Sequence, residues 1–175
     1  NIVFILYLST MMIPITVRLI PSYNLCRNLN MLDTYMGMIL PQVAWSIPFG
    51  TFLMRQFYMG IPKQLDEAAK IDGANHFQIF WKILLPNTKS SMATLGIYTF
   101  ISAWNNLIWM LLSVRSESKW TVTLGISSIC GASVIKQPTW NLIMGVIVIG
   151  MIPVLILFFA FQKYFMQSVA ATGIK

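Results

Sequence analysis

Negative charge is what this sequence has least of. Asp and Glu together number 5 among 175 residues, against 12 Lys and Arg, and all charged residues make up only 10%. Soluble domains run near ~25% charged. A chain that is 57% hydrophobic, with a mean hydropathy of +0.69, could not keep its surface wetted, so the lipid bilayer is the solvent it fits. Histidine is nearly missing too: His76 stands alone, with no second imidazole to build a metal site, and reads as an exposed polar position. Cys26 and Cys130 form no CxxC pair or Cys/His cluster, which argues against a metal and leaves a disulfide open. The methionines are packing or lipid-facing residues; only Met11-Met12 and Met36/Met38 approach a thioether cluster. No GxxxxGK[ST] phosphate loop is present, so the chain does not itself bind ATP. Nor is there an HExxH, a GxSxG or an intramembrane carboxylate pair, and an enzyme reading fails. The basic residues are scattered and make no nucleic-acid arm. The chain opens at Asn1 and is apolar from Ile2 with no basic region before it, so it reads as lacking its natural N-terminus and not as a signal peptide.

What is present is greasy helix. Four apolar segments, residues 2–20, 35–57, 90–114 and 140–163, each approach the ~20 residues a helix needs to cross ~30 Å of hydrocarbon. Pro14, Pro41, Pro48 and Pro153 lie inside them and predict kinked spans packed on other protein, because backbone groups freed by proline need partners in lipid. Arg18 and Arg55 near span ends predict side chains that snorkel to the headgroups, and Trp140, Lys163 and Tyr164 read as interfacial anchors. An even number of spans puts both ends on one side. The side holding residues 55–89 and the tail carries Arg55, Lys63, Lys70, Lys82, Lys89, Lys163 and Lys175; the other carries Arg18, Arg27, Arg115, Lys119 and Lys136. The positive-inside rule places the first side in the cytoplasm.

Between the second and third segments lies a polar insert, residues 61–86, with three of the acidic residues, Asp66, Glu67 and Asp72. Pro62 suits a helix start, and Asp66 and Glu67 suit its positive end. Gly73 can end that helix in a left-handed conformation. Asn75 with Gln78 three residues on predicts a capping box for a second helix, in which Phe77, Phe80, Trp81 and Leu84 make one broad apolar face, and Leu85-Pro86 stops it. An amphipathic linker resting on lipid is the plain alternative.

The spacing goes further. Glu67-Ala68-Ala69, three residues, Gly73, nine residues, Ile83, one residue and Leu85-Pro86 resembles the EAA signature of the permease subunits of bacterial ABC importers, with every fixed position filled. Thr10-Met11-Met12-Ile13-Pro14, Ser102-Ala103-Trp104-Asn105-Asn106, and Phe161-Gln162-Lys163-Tyr164-Phe165 followed by Ala170-Ala171-Thr172-Gly173 resemble the carbohydrate-uptake branch, in particular the smaller maltose-type permease subunit. The resemblance implies an all-α polytopic bundle of the type I importer permease fold, with four spans here of an expected six, in a bacterial inner or plasma membrane. It implies that the EAA helix docks on a cytoplasmic ATPase, with Glu67, Ala68, Ala69, Gly73, Ile83, Leu85 and Pro86 as the coupling set. ATP is then expected on that ATPase, with no cofactor on this chain. The further partners are a second permease subunit and an external solute-binding protein.

A translocation path would use polar residues within the spans. Thr99, Ser102, Asn105 and Asn106 are the densest set, with 99, 102 and 106 on one helical face and Asn105 beside it; Gln42 and Ser46 sit four apart on the second span. Neutral amides and hydroxyls suit sugar hydroxyls, and equally suit bonds between helices or to proline-freed backbone. The related family often has an acid where Asn106 stands. The external segment 113–139 reads as a long loop, re-entrant or docking the binding protein. Remaining alternatives are an ABC permease for an amino acid, peptide or glycerol phosphate, a secondary carrier, or a non-transporting scaffold. A carrier predicts charged coupling residues well inside spans.

Overall fold

The computed structural model describes residues 2–136 and 140–172, with side chains for all of these except 63, 132–136 and 163–172. The described residues are helical throughout, with no strand among them. In order, the helices are α1 (Ile2–Ser9), α2 (Ile15–Asn28), α3 (Tyr35–Met59), α4 (Lys63–Ile71), α5 (His76–Ile79), α6 (Leu85–Asn87), α7 (Lys89–Trp104), α8 (Leu107–Ser113), α9 (Val122–Lys136) and α10 (Trp140–Thr172).

Two helices are long and apolar enough to cross a membrane alone, Tyr35–Met59 and the Trp140–Gln162 part of α10. The other two expected spans are broken. Residues 2–20 are not one rod: α1 and α2 meet at 97°. Pro14 is the cause, because it lacks an N–H and forces Ile13 into extended backbone (φ −76°, ψ 117°). Residues 90–114 are bent by 54° between α7 and α8. There Asn106 (φ −78°, ψ 83°) centres an inverse γ-turn, and the Leu107 N–H donates to the Asn105 carbonyl at 2.9 Å. The broken turn is repaired locally. Asn106 Oδ1 accepts from the Trp109 N–H at 3.3 Å, and the Thr123 hydroxyl donates to the Trp104 carbonyl. Thr123 belongs to α9, a helix of 15 residues where the sequence predicts a long loop. Its length, ~22 Å, is short of a crossing. It packs on α10, where Ile126 lies over Gly150 so closely that an added Cβ would sit 2.6 Å from its δ-methyl. Pro138 and Thr139 of that segment, and the 163–175 side chains of the ending, lie outside the described residues. Both cysteines are free.

The buried core gathers Leu19, Cys26, Met38, Trp109, Met110, Val114 and Leu124 from α2, α3, α8 and the start of α9. Trp109 is its centre, fully buried, with its ring 5.2 Å from that of Trp45 in an edge-to-face pair. Its Nε1–H donates to the Gly37 carbonyl at 3.1 Å. Within α3 that carbonyl would take the N–H of residue 41, and residue 41 is proline. So Trp109 supplies the donor that Pro41 removes, as the intraspan prolines predict. Gly37 itself tolerates no side chain, since a Cβ there would meet the Met31 carbonyl oxygen at 2.1 Å.

The end of the bundle away from the polar insert is held by one carboxylate. Asp33 lies between α2 and α3 in the left-handed region (φ 56°). Its Oδ1 accepts from the Arg115 and Ser116 N–H groups, both at 3.0 Å. Its Oδ2 accepts from the Ser116 hydroxyl and faces Lys119 Nζ at 3.4 Å. Its own N–H donates to the Ser113 carbonyl at 2.7 Å. The Ser116 hydroxyl, then the Ser116 and Arg115 N–H groups, hold this carboxyl well below the usual carboxylate range. A depressed folded pKa contributes stability that is complete above the unfolded value, about 4, and is lost as pH falls through the folded one. Asp33→Ala is therefore expected to lower the thermal midpoint of the detergent-solubilised protein at neutral pH, and the gap between wild type and variant should close as the buffer is taken well below pH ~4. A gap that stays constant down to strong acid would refute the carboxylate clasp.

Candidate functional site

The polar insert is built by two capping motifs back to back. Helix α4 ends in a Schellman turn: the Gly73 N–H donates to the Lys70 carbonyl at 3.0 Å and the Ala74 N–H to the Ala69 carbonyl at 2.9 Å. Gly73 holds φ +80°, which a side chain would strain. One residue later Asn75 Oδ1 accepts from the Gln78 N–H and Gln78 Oε1 accepts from the Asn75 N–H, both at 2.9 Å. That is the reciprocal capping box the spacing predicts. The Asp66–Lys70 pair at 2.7 Å lies along the same helix.

On α4 the residues Gln64, Glu67, Ala68 and Ile71 are all exposed, and at i, i+3, i+4 and i+7 they form one stripe. Ile71 is 87% exposed and Leu65 44%, while Ala69 on the other side is 6% exposed. An isoleucine held that open next to a carboxylate and a small residue is a contact surface without its contact.

The second half of the insert departs from the prediction. The chain does not stop at Leu85-Pro86; helix runs on through α6, and after a single irregular residue, Thr88 (φ −105°, ψ 17°), into α7. Proline removes an N–H and crowds the carbonyl four residues earlier, and a π-helical stretch, Phe80–Leu84, widens the chain just before Pro86. The apolar face is not the expected one: Phe77 is 76% and Trp81 57% exposed, whereas Ile79 is 2% exposed and takes the anchoring place. Of the aromatics, Phe80 alone reaches α3, with its ring 6.2 Å from Tyr58. Ile83, Leu84 and Leu85 are half-buried, Pro86 and His76 exposed.

Above the insert, α3 and α7 enclose a cleft of about 390 Å³. It brings together Gln42, Ser46, Thr99, Ser102 and Asn106, five of the six polar positions singled out in the sequence; Asn105, turned by the helix break, does not line it. Gln42 Nε2 donates to the Met38 carbonyl (3.0 Å), Ser46 to Val43 (2.8 Å) and Thr99 to Leu95 (2.9 Å), so the hydroxyl protons of Ser46 and Thr99 are spent on their own helices and leave acceptor lone pairs, while the Gln42 amide keeps a second N–H. Phe49 and Tyr98 close one wall with ring centroids 4.3 Å apart.

The cleft also contains a residue read from the sequence only as a span-end anchor. Arg18 lines it, with its guanidinium 6.0 Å from the Trp45 ring centre. Trp45 lies ten residues into the 25-residue α3, ~15 Å from one end and ~21 Å from the other, so Arg18 is level with the middle of that helix. The 97° break after α1 carries it there, and nothing in the local sequence encodes that break angle. Arg55 sets its guanidinium 4.3 Å over the Phe4 ring. Among the described residues no group of His, Cys, Asp or Glu could hold a metal ion.

Comparison with known proteins agrees with these features. Residues 1–171 match the family model of the binding-protein-dependent transport system inner membrane component. The sn-glycerol-3-phosphate transport system permease protein UgpE of Yersinia enterocolitica is 39% identical over 169 residues, covering 96% of this chain and 59% of that protein. The arabinooligosaccharides transport system permease protein AraQ of Bacillus subtilis is 33% identical over 175 residues, 100% of this chain and 60% of that protein. The chain thus spans about three fifths of the length of these relatives. In three dimensions it resembles a chain of a bacterial ABC transporter involved in the import of the acidic polysaccharide alginate, with a TM-score of 0.67, 30% identity, and coverage of 83% of this chain and 55% of that one. The all-helical bundle has the type I importer permease fold, and with a family match over nearly its whole length the chain belongs to the binding-protein-dependent transport system inner membrane components.

Proposed function

We propose that this chain is a membrane-spanning subunit of an ATP-driven importer of sugars or sugar derivatives, one that takes force from a cytoplasmic ATPase through α4 and forms part of the path through the cleft between α3 and α7. The observation that carries the reading is the insert itself. A stripe of Gln64, Glu67, Ala68 and Ile71 stands exposed on a helix locked at its end by Gly73 and by the Asn75–Gln78 box, and that unit continues into α7, a wall of the cleft. A capped helix transmits displacement where a flexible loop would absorb it. Glu67, Ala68, Ala69 and Gly73 form the coupling element, with Ile83, Leu85 and Pro86 in its link to α7. ATP belongs to the ATPase, and a second permease subunit and an external binding protein complete the assembly. The relatives' transport of glycerol phosphate and arabino-oligosaccharide, and the alginate importer, set the substrate class. A secondary carrier fits less well, because among the described residues the one charge in the cleft is Arg18, which cannot carry a coupling proton or cation, and all five acidic residues lie on the insert or in the loops at Asp33 and Glu117.

The test is a cross-link. Glu67→Cys on this chain and a cysteine in the ATPase surface cleft should join on oxidation in the assembled complex, and ATP binding should change the yield. An assembled complex that never cross-links from position 67 would sink the coupling role.

A further inference from the structure

We propose that the cleft between α3 and α7 recognises an oxyanion, a phosphate or carboxylate carried on a sugar or polyol, through Arg18; the inference deepens the importer reading and rests on it. Three observations converge. Arg18 is near mid-depth of α3, where a guanidinium without a partner is costly and, when present, marks a ligand path. Its Nε is buried and makes no hydrogen bond. And none of the five acidic residues of this stretch reaches it: Asp66, Glu67 and Asp72 are on the insert, Asp33 is held by Ser116 and Lys119, and Glu117 is in the same loop.

The rest of the cleft fits the body of such a ligand. Trp45, Phe49 and Tyr98 give flat apolar walls for the C–H face of a sugar ring. The remaining lone pairs of Ser46 and Thr99 accept from its hydroxyls, and the Asn106 amide, whose Oδ1 is already engaged by Trp109, has N–H groups to donate. A guanidinium is the side chain that pairs best with a planar carboxylate or a phosphate, in both cases through two parallel hydrogen bonds. A cleft with one cation, no anion and neutral polar groups around it selects for negative charge.

Three other sources of an oxyanion are open to Arg18, a lipid phosphate, a carboxylate of the second permease subunit and a carboxylate from the part of the relatives' length that this chain does not span, and the test separates all three from a ligand. The complete importer, with its own binding protein, is reconstituted in phosphatidylcholine vesicles as wild type and as Arg18→Gln and Arg18→Lys. ATP-dependent uptake is measured for sn-glycerol-3-phosphate, an oligouronate and neutral arabinotriose. The expected result is that Arg18→Gln lowers uptake of the wild type's anionic probe by about 10- to 100-fold, the range for losing a charged hydrogen bond, narrows the preference for the anionic probe over arabinotriose by the same factor, and leaves the amount of assembled complex unchanged, with partial recovery in Arg18→Lys. Which of the phosphate and the uronate is taken up names the anion. An equal fall for charged and neutral probes assigns Arg18 to a lipid phosphate or to a carboxylate elsewhere in the same protein and overturns the proposal; so does loss of the second permease on co-purification, which assigns it to that subunit's carboxylate. Wild-type uptake of arabinotriose alone overturns the anion site and leaves the importer standing. ATP hydrolysis that the binding protein and all three probes fail to stimulate overturns the importer reading itself.

Discussion

Trp109→Phe is expected to destabilise the solubilised protein by about 1–3 kcal/mol, and Pro41→Ala in the same chain is expected to return most of that loss. The phenyl ring keeps much of the indole's volume in the core with Trp45, Met38 and Leu124, so packing alone predicts a smaller cost. What the substitution removes is the Nε1–H that meets the Gly37 carbonyl. That carbonyl is buried and cannot turn to the residue four ahead, because Pro41 has no N–H. Alanine at 41 restores the donor within the helix. Pro41→Ala alone should be nearly neutral, since the carbonyl then has two donors to choose from. Trp109→Ala adds a cavity and should cost about 3–5 kcal/mol, with less rescue by Pro41→Ala. The measurement is a double-mutant cycle on unfolding in mixed detergent. Independent, additive losses would show that the indole acts by size and not by its hydrogen bond.

Gly73→Pro should abolish transport, with a loss of at least ~100-fold, while the chain still inserts and assembles in normal amount. Proline holds φ near −65°, and this position needs +80°. It also deletes the N–H that donates to Lys70. The Schellman turn opens and α4 loses its fixed angle to the Asn75–Gln78 box, without any buried core contact being touched. Gly73→Ala meets no atom within 4 Å and carries only the left-handed strain, ~1 kcal/mol, so it should keep most activity. Glu67→Lys should fall between them, because it leaves the helix intact and reverses the charge on its exposed stripe. Uptake and stimulated ATP hydrolysis in reconstituted vesicles, each normalised to assembled complex, give the readout. Full transport by Gly73→Pro would show that the insert's rigidity has no part in coupling.

The insert was legible because its signals are local. A glycine after a helical run and an Asn-x-x-Gln pair act within a few residues, and both form the bonds their spacing predicts. The likeness of residues 67–86 to a known signature is local in the same way. Long-range geometry was not legible. Asn105-Asn106 reads as ordinary polar sequence inside a span, and it breaks the helix only because Thr123, from a helix that follows in the chain, is there to take the freed carbonyl. Helix α9 itself reads as loop since Gly125, Gly131 and the serines between dilute its apolar pattern. Arg18 looks like an end-of-span anchor when residues 2–20 are drawn as one rod, and becomes a cleft residue once Pro14 folds the rod at a near right angle. The gathering of Gln42, Ser46, Thr99, Ser102 and Asn106 followed from helical periodicity on each span, and their facing one another from the packing of α3 on α7, where Phe49 meets Tyr98.

The Asp33 clasp also gives the bundle a fixed end. It ties α8 at Ser113, whereas the insert joins α7 at Lys89, on the other side of the 54° bend at Asn106. On the coupling role proposed for the insert, a push at Lys89 meets the cleft wall at Ser102 before it meets the bend, and the clasped end takes up none of it. Asp33→Ala then frees that end as well as destabilising it.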